Sequence, residues 1–256
     1  MPEIIDRRVL GAIRWIDAVT LAPIALPLKP TSDQLRFSRN LSGLTVITEA
    51  DGLEAYIRTF DLATLAPADV VATGSITVEG SVEDPSGTYL PAKFTVPLPR
   101  DPSPALLAPD NHRPAGSLFT PLDVALLPAP AARLAPGTAQ VRVLILDAAG
   151  QPIRNALARV VSTAGNVILG CGLSDARGET LVAIPGLKHF GPGATAEAVV
   201  SVETEARLEV VLPPTNSPVV DWIALRNTAV AAGNTDAQPL RLRPGALISR
   251  RFPFTT

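Results

Sequence analysis

Few residues in this chain could do chemistry, and their spacing decides what they could do. Glu203 and Glu205 flank a tight turn and could face each other across a hairpin as general acid and base. That work needs a cleft that drives two carboxyl pKa values apart, and a hairpin tip offers none. Asp84, Asp147 and Asp175 could ligate calcium if their loops converged, but each opens a turn whose backbone N–H groups its own carboxylate can hold. His112 and His189 lie far apart and no Cys-His spacing accompanies them, so no metal site is expected. Ser174-Asp175 belongs to a turn and there is no Gly-x-Ser-x-Gly elbow, so a serine nucleophile is not expected either. The single cysteine, Cys171, excludes an intrachain disulfide and reads as a small half-buried apolar side chain. The expectation is a protein without a cofactor that is not an enzyme.

The elements around these residues are strands. From Val141 to Leu187 the pattern is strand, turn, strand, turn, strand, turn, strand. Val141, Val143 and Ile145 recur at every second position and end in Asp147-Ala148-Ala149-Gly150, where glycine can take positive φ. Ala156, Ala158 and Val160 share one face of a second strand, with Asn155 and Arg159 on the other. Two further strands flank Asp175-Ala176-Arg177-Gly178, and Thr180, Val182 and Ile184 alternate up to Pro185-Gly186.

This order of strand, D-x-x-G, Pro152-Ile153, small-residue strand, second D-x-x-G, alternating strand and Pro-Gly resembles the carboxypeptidase regulatory-like family of transthyretin-like, Ig-like β-sandwiches. The resemblance implies a structural or adhesive module and leaves its task open. Some related surface sandwiches carry a Lys-Asn isopeptide staple, which requires a lysine in an early core strand. Lys29, Lys93 and Lys188 are the only lysines and the strand in question offers Arg142, so no staple is expected.

The landmarks recur earlier in the chain. VLGAIRWIDAVTLAPI from Val9 to Ile24 parallels VRVLILDAAGQPI, Leu44-Thr45-Val46-Ile47 parallels Glu179-Thr180-Leu181-Val182, and Phe94 to Pro99 parallels Leu208 to Pro213. The expected fold is therefore all-β, two tandem sandwiches at 1–100 and 138–213, the first more degenerate. Pro23, Pro27 and Pro30 crowd its second strand, which should be an edge or interrupted. The proline-rich stretch 101–137 is expected to be an ordered, extended connector with one strand from Leu122 to Leu127. In the tail, 214–256, Asp221 can cap one short helix carrying Trp222, Leu225 and Ala229 on one face and ending at Gly233. Leu240 to Phe252 then reads as a two-stranded hairpin turning at Pro244-Gly245. Such a tail should be separable, its deletion leaving both sandwiches folded but abolishing assembly.

The 26 prolines and 18 glycines suit short strands and turns, and an apolar fraction of 46% is too high for disorder. A net charge of -2 argues against general nucleic-acid binding, and no uninterrupted apolar run is long enough for a membrane span. Acidic Glu3 and Asp6 precede the first arginines, unlike a secretory signal, so cytoplasmic synthesis is expected, with the chain used there or within a virion or exported particle. The expected partners are other protein subunits in a homo- or hetero-oligomeric assembly. Candidate contacts are Tyr89 at the tip of the Asp84 to Pro91 loop, Trp222 and Phe252, and the basic edge of Arg241, Arg243, Arg250 and Arg251. The expected function is a non-enzymatic structural subunit of the phage-tail or contractile-injection kind. An adhesive module that reads protein or carbohydrate through its loops is the alternative.

Overall fold

The computed structural model describes residues 9–54, 56, 71–102, 114–188, 190–192, 199–201, 203–214, 217–231 and 233–254. The architecture is all-β with a short helix near the C-terminus. The chain divides into two compact units: one holds residues 1–16, 22–85 and 93–125, the other 17–21, 86–92 and 126–256.

In the first unit, β1 (Gly11–Asp17), β3 (Leu35–Arg39), β4 (Thr45–Ala50) and β7 (Leu122–Leu126) form a sheet in the order β3-β4-β1-β7. A second sheet, β2-β5-β6, is made of β2 (Lys29–Thr31), β5 (Ile76–Glu83) and β6 (Ala92–Leu98). β2 is an edge strand of three residues, because Pro23, Pro27 and Pro30 leave little chain able to donate to a ladder. Side chains alternate in and out along β6, and Phe94 meets Trp15 of β1 edge to face at 5.4 Å between ring centroids. Trp15 donates its indole N–H to Thr45 Oγ1 at 2.8 Å, so the large ring is buried without an orphaned donor. The connector's strand β7 adds beside β1. Between β6 and β7, Arg100 is buried against Gly11 and its guanidinium donates to the carbonyls of Ala115, Ser117 and Thr120, which ties residues 114–120 to the sandwich.

The second unit contains β8 (Ala139–Leu146), β9 (Leu157–Ser162), β10 (Ile168–Leu173), β11 (Glu179–Ile184), β12 (Phe190–Pro192), β13 (Val199–Ser201), β14 (Thr204–Val211), α1 (Trp222–Asn227), β15 (Leu240–Leu242) and β16 (Leu247–Pro253). Its two principal sheets run β10-β9-β14-β15 and β11-β8-β16. Val141, Val143 and Ile145 of β8 face Ala156, Ala158 and Val160 at the β9 end and Leu208 and Val210 of β14, all at most 2% exposed. This is the interior of a sandwich, built by the period-two pattern.

The tail differs from its expected form. β15 and β16 do not pair as a hairpin: β15 extends one sheet antiparallel to β14, while β16 crosses to the other and runs parallel to β8 from Leu247 opposite Gln140 to Pro253 opposite Leu146. Pro244-Gly245 is therefore the turn between sheets. Gly245 supplies the required φ of +71° and Ala246 N–H closes on Arg243 O at 3.0 Å. Leu240, Leu242, Phe252 and Phe254 belong to the core, so the tail is part of the second unit's sandwich rather than an addition to it. The helix also stops at Asn227, short of Gly233, because Arg159 reaches from β9 to take the carbonyls of Arg226 and Thr228.

Candidate functional site

Most of the chemistry-capable side chains are committed to backbone. Asp147 Oδ1 accepts from the N–H groups of Ala149 and Gln151 at 2.9 and 2.7 Å, and Asp175 Oδ1 accepts from Arg177 and Glu179 at 2.8 and 3.1 Å. Asp221 caps α1 through Ile223 and Ala224, as its position before Trp222 predicts. Ser174 is 1% exposed, donating to Ile153 O and accepting from Ala156 N–H, which leaves it no role as a nucleophile.

The paired glutamates do not cap a hairpin. β13 pairs with β12, while β14 begins at Thr204 and lies between β9 and β15. Glu205 opposes Arg241 across the β14–β15 ladder, and Glu203 accepts from the guanidinium of Arg243. Each carboxylate thus has an arginine on the neighbouring strand or just beyond its end, an opposite-charge pairing that stabilises an edge strand. Among the described residues no group of three or more His, Cys, Asp and Glu could hold a metal ion. His112 and His189 lie outside the described residues.

Tyr89 is half-buried. Its hydroxyl donates to Asp17 Oδ2 at 2.8 Å, and the flanking backbone is bonded by Leu90 N–H to Leu127 O and by Ala129 N–H to Thr88 O. Trp222 and Phe252 are buried at 7% and 5% exposure, the first under α1 and the second in the core. Arg250 points along the inner face of edge strand β16, its Nε 3.6 Å from Asp236. An inward charge at an edge obstructs strand addition. Arg241, Arg243 and Arg251 are exposed.

One charged cluster has no signature in the sequence. Glu209, with a side chain only 7% exposed, receives Arg159 at 2.7 Å and Arg207 at 2.8 Å, and Arg207 also donates to Asn166. Arg159 continues to the C-terminal carbonyls of α1, so the cluster fastens the helix onto β9. Alternation places Arg159 and Glu209 on outward faces, but only the helix's position above them makes that face buried.

The second unit also has a cavity of about 140 Å³, lined by Ala18, Val19, Ile168, Cys171, Trp222 and Arg226 among others. Burial pushes the Cys171 thiol up to about 11 from its ordinary 9.0, opposed by the positive charges of Arg226 and Arg159. The folded state therefore holds this proton more tightly than the unfolded chain. Its contribution is full below about pH 9 and is lost as pH rises towards 11. Denaturant melts at rising pH are expected to show the wild type losing roughly 2 to 3 kcal/mol relative to Cys171→Ala over that window. Parallel curves would disprove the assignment.

No family model matches the chain, and no curated protein matches it in sequence. Among solved structures, the Streptococcal ancillary pilin aligns at TM-score 0.27 and 10% identity over 86% of this chain and 49% of its own. The Bacillus anthracis TIE protein aligns at TM-score 0.27 and 8% identity over 96% of this chain and 34% of its own. The chain spans less than half the length of either.

Proposed function

We propose that this chain is a non-enzymatic structural subunit that joins other protein subunits in a larger particle. The observation that carries it is the employment of its reactive side chains: Asp147, Asp175 and Asp221 hold turns and a cap, Ser174 is sealed into the core, and Glu203, Glu205 and Glu209 face arginines. Such groups build shape, and none of them is left to converge on a cleft. The two units are read as one sandwich design of the carboxypeptidase regulatory-like kind used twice. In support, the first strand of each unit lies between its fourth strand and a later one, β4-β1-β7 and β11-β8-β16. The particle class is the phage-tail or contractile-injection kind, on architecture alone. Partner contact falls to the exposed arginines Arg241, Arg243 and Arg251, with Trp222 and Phe252 fixing the elements behind them and Tyr89 holding its loop.

Fractionation of producing cells on a density gradient tests this reading. The chain is expected to travel with a multi-subunit particle, and Arg241→Glu with Arg251→Glu is expected to shift it to the free fraction without changing its melting temperature. A wild-type chain found only free, or bound to an external surface with no particle, would replace the structural reading with the adhesive one.

A further inference from the structure

The two units differ in charge: the first carries 14 acidic and 10 basic residues, net -4, and the second 10 acidic and 12 basic, net +2. Copies of this chain therefore attract each other when the first unit of one approaches the second unit of another. The cavity on the second unit offers such a contact a place to end. Its walls include Val19, Ile168 and the Trp222 ring, with exposed Arg226 also lining it. At about 140 Å³ it is close to the size that takes a benzene-sized apolar group, roughly 150 Å³. Leu21 and Ile223, each within two residues of a lining position, are exposed at 70% and 47% and add apolar surface near its mouth. The first unit presents a matching knob. Leu41 is fully exposed at the tip of the β3–β4 turn. That turn is held by Leu44 N–H on Asn40 Oδ1 at 2.8 Å and by Asn40 N–H on Leu44 O at 3.0 Å, so seating the side chain orders little further backbone.

Resting on the assembly reading above, we propose that the partner is a second copy of this chain, whose Leu41 enters the Trp222 cavity. Knob and cavity lie on different units, so the contact is heterologous and successive copies add head to tail, into a ring where the rotation closes and a filament where it does not.

Sedimentation velocity on the full chain tests it, at about 20 mM and about 500 mM salt, conditions that lengthen or collapse the reach of the charge. The wild type is expected to form concentration-dependent oligomers that weaken at high salt. Leu41→Ser removes the knob and Ala18→Phe fills the cavity from its half-buried rim. Each variant alone is expected to sediment as a monomer with an unchanged melting temperature, at least tenfold weaker in association. Mixed in equal amounts, the two are expected to recover a single complex of about 53 kDa, twice the 26.7 kDa chain, because Ala18→Phe still carries a knob and Leu41→Ser still carries a cavity. A monomeric wild type, variants that oligomerise like it, or a mixture that stays monomeric overturns the self-docking. If the chain still travels with a particle in any of those cases, the assembly reading survives without it.

Discussion

Ending the chain after Asn234 is expected to unfold the second unit. The deletion removes Leu240, Leu242, Phe252 and Phe254, all buried to 7% exposure or less. Each such side chain contributes about 1.5 to 3 kcal/mol by burial, so four contribute roughly 6 to 12 kcal/mol. A domain's whole margin is about 5 to 15 kcal/mol. The loss also strips β8 of its parallel partner over seven residues and leaves Val141, Val143 and Ile145 facing an open end of the core. Hydrogen exchange should show protection lost from β8, β9 and β14 and retained in β1 and β4. A truncated chain with wild-type protection in β8 would mean that β16 is an ornament on the sheet rather than one of its members.

That outcome reverses what the tail looks like in the sequence, and the reason is physical. Leu240-Arg241-Leu242 and Leu247 to Phe252 alternate as strands should, and Pro244-Gly245 turns as such a pair should. Periodicity specifies which face of a strand is buried, but not which strand it lies beside. A turn whose flanking strands join different sheets has the same residues as one that closes a hairpin. The same ambiguity hides behind Glu203-Thr204-Glu205, where β14 turns away from β13 to lie between β9 and β15. What depends on nearest neighbours alone was legible: the alternation of β8, the Asx turns at Asp147 and Asp175, the cap at Asp221, the short edge strand forced by Pro30, and the strand from Leu122. The Arg159–Glu209–Arg207 cluster and the Trp222 cavity were not, since each joins segments that are distant in the sequence, Arg159 with Glu209 50 positions on and Ala18 with Trp222. Tyr89 shows the limit from the other side. Its place in the Asp84 to Pro91 loop is legible in the sequence, and the bond from its hydroxyl to an aspartate 72 positions away is not.

Replacing Gly172 with alanine is expected to cost about 3 kcal/mol, near the upper end for an overpacked site. A Cβ at this position would sit 2.2 Å from the carbonyl oxygen of Leu181 and 2.8 Å from its carbon. At Gly170 it would lie 2.4 Å from the oxygen of Ala183. These are backbone atoms, and they cannot swing aside like the end of a long side chain. Nor can β11 retreat, because it is paired with β8 from Glu179 to Ile184 and β8 is held by β16 on its far side. Gly170 and Gly172 therefore let β10 approach β11 where the two sheets meet, and alternation leaves Cys171 between them facing the cavity. Cys171→Ala, which only trims a side chain, is the control and should stay within about 1 kcal/mol of wild type at neutral pH. For a unit of this size the glycine substitution should lower the melting temperature by about 6 to 12 °C. It should also widen the cavity floor, so that any ligand or partner side chain seated beside Trp222 binds less tightly than to the cysteine control. Equal melting of Gly172→Ala and Cys171→Ala would mean that the sheets part easily at this corner, and that the cavity's dimensions are set by the helix above it rather than by the strands beneath.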